Sequence, residues 1–319
     1  MATGNYVVGI DVGGQTTKLG VVDARGTVLA QTVIRTDNHE DVRLYVAELA
    51  EAVKKIILDA NAEGQIRGVG VGAPNGNYYT GTIENAPNLP WAHQTVKFAE
   101  LLSEALDGLP VALTNDANAA AVGEMTYGAA RGMKNFIMIT LGTGVGSGIV
   151  INGEVVYGHD GFAGELGHTA AVRNNGRACN CGKSGCLEAY CSATGVARTA
   201  REWLELTDEP SVLRSLDTIA SKDVYDAAKD GDKLALKIFE FTGKILGRSF
   251  ADFVAFSAPE AIVLFGGLAR AKEFLRQPIE DSMNANLLPL WKDKVKIVFS
   301  QLKESDAAIL GASALAWEL

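Results

Sequence analysis

One pattern occurs twice in this chain and limits what it can fold into. Tyr6 to Ile34, YVVGIDVGGQTTKLGVVDARGTVLAQTVI, alternates apolar runs with a Gly-rich turn and an Asp-Ala-Arg-Gly turn. That alternation predicts three antiparallel strands joined by tight connections. Asn135 to Gly158, NFIMITLGTGVGSGIVINGEVVYG, repeats strand, glycine turn, strand, Asn-Gly turn and strand. Setting Gly20-Val-Val on Gly148-Ile-Val gives a spacing of 128 residues. Matched glycine turns between matched strands, each followed by a helical region, indicate duplication rather than two unrelated meanders.

The intervening segments fit two α/β halves with a cleft between them, where ligand pockets usually lie. Val42, Tyr45, Val46, Leu49, Val53, Ile56 and Ile57 fall on one helical face. Short buried strands are expected at Gly68–Ala73 and Pro110–Asp116, with a helix over ANAAAVGEMTYGAA after the second. Ser192 to Val254 reads as helices with charged faces, and EAIVLFGGLAR (Glu260–Arg270) as a third strand–glycine unit. The nearly apolar end, DAAILGASALAWEL, should form a buried helix. The expected domains are 1–117 plus 304–319, and 118–303.

The chain's 319 residues suffice for a sizeable core without disulfides, and its net charge of −9 argues against a sequence-independent grip on nucleic acid or an acidic membrane. The N-terminal MATGNYVVGIDV has no basic segment followed by an apolar one, so no secretory leader is expected. Phe136–Ile151 is broken by four glycines and does not read as a membrane span. A cytoplasmic location is expected, where clustered cysteines are metal ligands more often than disulfides.

Three groups of residues carry chemistry. DVGG (Asp11–Gly14) and LGTGVG (Leu141–Gly146) occupy equivalent places in the two repeats. Each suits a tight hairpin or a backbone cradle for phosphate oxygens. Their pairing, with a third Gly-Gly at Gly266 and Gly267, favours a nucleotide clamped between halves. Asp11 is a candidate to orient Mg²⁺. Asn115 and Asp116 end an apolar strand just before a helix, so Asp116 suits a helix cap, a general base, or both. Beyond them, PNLPW (Pro87–Trp91) reads as a proline loop, with Asn88 a candidate sugar contact. Cys179, Cys181 and Cys186 lie on a glycine-rich knuckle, three ligands where structural zinc takes four. The fourth is Cys191 or His168; five helical residues would turn Cys191 about 140° away from Cys186.

The glycine turns and Gly266-Gly267 resemble the phosphate and adenosine motifs of the actin-like ATPases and sugar kinases, whose fold is a duplicated ribonuclease-H-like domain. That resemblance implies ATP and Mg²⁺, with Asp11, Gly13, Gly14, Thr16, Gly142, Thr143, Gly144, Gly266 and Gly267 on the nucleotide. The first loop of that group continues Gly-Gly-Thr; here Gln15 follows the pair, leaving the Gln15 amide or Thr16 to take over. Lys18 is expected to be an ordinary strand lysine.

GFAGELGH followed by CNCGKSGCLE, together with DVGG, TNDANAAAVGE, ITLGTGVGSGIVINGE and IVLFGG, resembles the ROK family (repressors, open reading frames, kinases) over nearly the whole chain. The resemblance implies that Asn115, Asp116, Glu165, His168 and Glu188 bind sugar hydroxyls, with Asp116 as base. It implies a structural Zn²⁺ on His168, Cys179, Cys181 and Cys186, His168 using its other ring nitrogen toward the sugar. The implied activity is ATP-dependent phosphorylation of a hexose, glucose to glucose 6-phosphate first. N-acetylmannosamine, N-acetylglucosamine, fructose and allose are the alternatives, and the implied assembly is a homodimer. The family also contains sugar-responsive repressors with a helix-turn-helix segment before the core; a first strand near Tyr6 and an acidic charge disfavour that reading. Chelation is expected to cost sugar affinity or folding, with no direct deficit in phosphoryl chemistry.

Overall fold

In the computed structural model, which describes residues 4–319, the first repeat forms β1 (Tyr6–Val12), β2 (Thr16–Asp23) and β3 (Val28–Arg35) as an antiparallel meander. Residues 1–3, part of the leader reading and of the first expected domain, lie outside the described residues. Val7, Val8, Ile10 and Val12 are all buried because β1 is covered on both faces, whereas the edge strand β3 alternates in and out. α1 (Val42–Asp59) starts at Asp41, whose side chain accepts the Arg43 N–H, and buries Tyr45, Val46, Leu49, Val53 and Ile56. β4 (Ile66–Ala73) pairs in parallel with β1. A small hairpin of β5 (Gly76–Asn77) and β6 (Thr82–Ile83), then α2 (Phe98–Ala105), leads to β7 (Val111–Asn115), parallel to β4, and α3 (Asp116–Tyr127).

The second repeat forms β8 (Phe136–Leu141), β9 (Val145–Ile151) and β10 (Glu154–Val155). After it come α4 (Glu188–Cys191), α5 (Ala193–Leu206), α6 (Ser221–Lys229) and α7 (Lys233–Ser257). β11 (Ala261–Phe265), α8 (Lys272–Asn286) and β12 (Lys296–Phe299) complete it. The sheet orders, β3-β2-β1-β4-β7 and β10-β9-β8-β11-β12, have the same connectivity: a meander extended by two parallel strands. Thr17 and Val145, the residues of β2 and β9 paired nearest the two glycine turns, are related by the spacing read from the sequence.

The last helix, α9 (Glu304–Leu315), belongs with the first repeat. It lies against the backbone of the sheet: a Cβ on Gly9 would fall 2.1 Å from the Ile309 carbonyl oxygen, and one on Gly70 1.9 Å from that of Ala312. Packing divides the chain into two compact units. The first runs through Met133 and includes Val155–Ala163 and Gln301–Leu319; the second holds Lys134–Glu154 and Gly164–Ser300. α3 stays with the first unit because Gly123 meets Gly311 of α9 almost backbone to backbone, its Cβ position 2.6 Å from the Gly311 Cα. Among the described residues no helix is long and apolar enough to cross a membrane.

Candidate active site and metal centre

In the first unit, β1, β4 and β7 run parallel, so their C-terminal ends share one edge. Asp11 registers with Gly72, and Ala73 with Asn115, which brings Asp11, Asn115 and Asp116 to that edge. The capping residue is Asn115, not Asp116: its side-chain oxygen accepts the Ala117 N–H at 2.8 Å. Asp116 occupies the first turn, where its Oδ1 also accepts that N–H at 2.8 Å. Both residue types cap helices well, and the one-residue difference leaves the Asp116 carboxylate open to solvent. The carboxylate is recessed rather than sealed. Surrounding protein desolvates the charge and pushes its pKa up, against the opposing pull of the Ala117 N–H.

Asp11 is pushed up to about 6, first by burial and then by the charge of Asp116, with Lys18 pulling it down. Lys18 is its direct cross-strand partner, so this strand lysine supplies a countercharge to Asp11. Two carboxylates that resist ionising together are a favourable setting for a hard cation.

The first glycine turn is held from below. Gly13 N–H donates to the Thr16 carbonyl, and Thr36 N–H to the Gln15 carbonyl, each at 3.0 Å. The Thr17 hydroxyl is buried against Thr36 (2.8 Å) and Tyr45 (2.6 Å), so it is committed to the core. Gln15 is exposed and Thr16 half-buried, which keeps both available at the turn. A Cβ on Gly14 would lie 2.8 Å from the Asn88 carbonyl oxygen, so the proline loop backs this turn while Asn88 itself is exposed.

In the second unit, Gly142 N–H closes the other turn onto the Gly144 carbonyl at 3.0 Å. Gly266 has φ +101°, in the left-handed region, and a Cβ there would meet the Leu141 carbonyl oxygen at 2.6 Å. The structure therefore brings Gly266 and Gly267 beside Gly142–Gly144. Two residues absent from the sequence-based set fasten that turn. Thr194 Oγ1 donates to the Thr143 carbonyl at 3.0 Å, and the Ser192 hydroxyl caps α5 by accepting the Gly195 N–H at 3.0 Å. A serine directly before a helical run was the available signal for the second of these.

His168, Cys179, Cys181 and Cys186 converge, their ligating atoms all within 4.8 Å of one another. Cys181 and Cys186 sulfurs are 3.6 Å apart, and His168 Nδ1 is 3.8 Å from Cys179 Sγ. Tetrahedral zinc with Zn–S near 2.3 Å needs edges of about 3.8 Å. The Cys₃His set therefore fits a closed structural site. Burial pushes the Cys179 thiol up to about 12 and raises Cys186, while the Lys183 backbone N–H lowers Cys181, so a metal must displace protons to bind. His168 sits in a 3₁₀ turn, Leu166–His168, and its Nε2 lies 4.0 Å from Glu165 Oε2. The two ring nitrogens thus face the thiols and a carboxylate respectively. Cys191 is outside the cluster, fully buried with its thiol 3.7 Å from the Thr242 carbonyl. The helix begins at Glu188 rather than at Cys186. Glu188 is half-buried beside the knuckle, its Oε1 3.6 Å from Cys179 Sγ.

The model of the ROK family matches residues 7–318. A glucokinase from Halalkalibacterium halodurans is 37% identical over 311 residues, 96% of this chain and 93% of that protein. One from Thermotoga maritima is 35% identical over 316 residues, 97% of this chain and 96% of that protein. Among solved structures, a ROK family glucokinase from Streptomyces griseus in complex with glucose and AMPPNP is similar with a TM-score of 0.79 at 31% identity, over 98% of this chain and 100% of that one.

Proposed function

The chain belongs to the ROK family, and from that premise we propose that it is a cytoplasmic, homodimeric ATP-dependent hexokinase that phosphorylates the 6-hydroxyl of glucose. The observation that carries the reading is Asp116: a recessed carboxylate, open to solvent, at the end of a parallel strand, with its pKa raised. A base with a raised pKa accepts a hydroxyl proton more readily. Asp116 takes that proton as the sugar oxygen bonds to the γ-phosphorus, and the bond from that phosphorus to the bridging oxygen breaks to leave ADP.

Asn115, Glu165, His168 and Glu188 are assigned to the other sugar hydroxyls, and Gly13, Gly14, Thr16, Gly142, Thr143 and Gly144 to the phosphates. Gly266 and Gly267 are assigned to the adenosine side. Asp11 holds Mg²⁺, which when bound neutralises charge on the phosphates. His168, Cys179, Cys181 and Cys186 hold Zn²⁺, whose contribution is structural: it ties the segment bearing Glu165 and His168 to the one bearing Glu188. Support for glucose comes from the relatives' names and from the sugar in the Streptomyces griseus complex.

A coupled ADP-release assay over glucose, fructose, allose, N-acetylglucosamine and N-acetylmannosamine tests the substrate. Glucose should give the highest kcat/KM; another sugar at the top would replace it. Asp116→Asn should keep sugar binding and lose about 10²–10⁴-fold in kcat. Near-normal turnover in that variant refutes the base assignment.

A further inference from the structure

Glu188 Oε2 accepts the Val145 N–H at 3.0 Å, and a Cβ on Gly144 would lie 2.5 Å from the same oxygen. A side chain on that turn residue would have to push the carboxylate aside. On the opposite side of Val145, its carbonyl oxygen lies 1.9 Å from where a Cβ of Gly167 would be, and Gly167 belongs to the turn Leu166–His168. Val145 is thus gripped twice at the point where β9 leaves the second glycine turn. Its N–H is held by the residue two positions after Cys186, and its carbonyl abuts the turn carrying His168. The two gripping segments are joined to each other, since Leu187 N–H donates to the Thr169 carbonyl at 3.0 Å. Cys179, with its thiol beside Oε1, approaches the same carboxylate from the knuckle.

An anion beside a phosphate cradle repels the ligand, so electrostatics alone would keep a glutamate away from this turn. What Glu188 contributes there is a hydrogen-bond acceptor at the right reach, which fixes the direction of one backbone N–H. We propose that Glu188 is a positioning residue for the nucleotide side: through Val145 it sets the conformation of Gly142–Gly144. The metal knuckle thereby orders the phosphate-binding backbone as well as the sugar wall. The inference rests on the kinase reading above. It adds an indirect, positional route to the expectation that chelation causes no direct deficit in phosphoryl chemistry.

The test is Mg²⁺–AMPPNP binding by calorimetry with no sugar present, on the metal-loaded wild-type chain, Glu188→Asp and Glu188→Gln. Aspartate keeps the charge but withdraws the oxygen by one methylene; glutamine keeps the length and an acceptor while losing the charge. Glu188→Asp should bind at least tenfold more weakly than wild type, and Glu188→Gln should be no more than threefold weaker. A role limited to sugar contact predicts equal nucleotide affinity in all three proteins. That equality, or a loss in the glutamine variant as large as in the aspartate variant, overturns the proposal. If the wild-type chain itself binds no Mg²⁺–AMPPNP, the kinase reading falls and this inference with it. Wild-type binding indifferent to Glu188 sinks the inference alone.

Discussion

Replacing Asp11 by asparagine should stabilise the folded chain at neutral pH while removing the group assigned to Mg²⁺. Burial and the neighbouring Asp116 charge raise the Asp11 pKa from 3.8 to about 6, despite Lys18 across the strand pair. Two units at 1.36 kcal/mol each set an upper figure of about 3 kcal/mol for the cost of ionising this group in the fold. The side chain is half-buried, and solvent screening lowers that to about 1–3 kcal/mol. The sign follows from proton counting. Between the two pKa values the native chain holds a proton that the unfolded chain has released, so stability falls as pH rises through that window and levels off above it. Asparagine has no proton to release, so its curve lacks the fall. Urea unfolding at pH 4, 5, 6 and 7, followed by tryptophan fluorescence, measures the difference between variant and wild type. It should grow from near zero at pH 4 to about 1–3 kcal/mol at pH 7. Saturating Mg²⁺–AMPPNP should increase wild-type stability more than that of the variant. A difference that stays flat across this range refutes the reasoning, because the desolvated, repelled carboxylate would then not be there.

Gly70→Ala places a methyl group against the Ala312 carbonyl and must lift α9 off the sheet; thermal and urea unfolding should show a loss of about 3 kcal/mol or more. A loss below about 1 kcal/mol would contradict backbone-to-backbone packing. Metal analysis of the purified chain should find a single zinc, absent in Cys186→Ser and unchanged in Cys191→Ser, since only the former lies in the cluster. Equal zinc content in the two variants would dissolve the assigned ligand set.

Local spacing made much of this molecule legible. The strand–glycine–strand pattern gave both meanders because period and turn chemistry are local properties, and α1 presented the face that its spacing required. The knuckle was equally readable, although choosing His168 over Cys191 needed the resemblance as well as helix geometry. Harder to see was the cap at Asn115, because adjacent Asn and Asp suit the same position and only the backbone register separates them. The contact of Glu188 with Val145 spans 43 residues and leaves no periodic trace. Gly9 and Gly70 could be read as small residues in strands, but nothing local named Ile309 and Ala312 as the atoms they make room for. Nor did local pattern show that Val155–Ala163 would pack with the first unit while its neighbours on both sides pack with the second.

The seat of α9 on Gly9 and Gly70 also sets an order of events at the ribosome. The sheet it covers is made before the second unit, and the helix only after it. At roughly 5–20 residues per second, the wait between Met133 and α9 is on the order of 10–40 s. During that wait the nascent first unit carries an uncovered, glycine-floored strip of backbone. The second unit, by contrast, has all of its strands by Phe299 and can close before α9 is made. Synthesis therefore runs from the first unit to the second, and completion runs the other way.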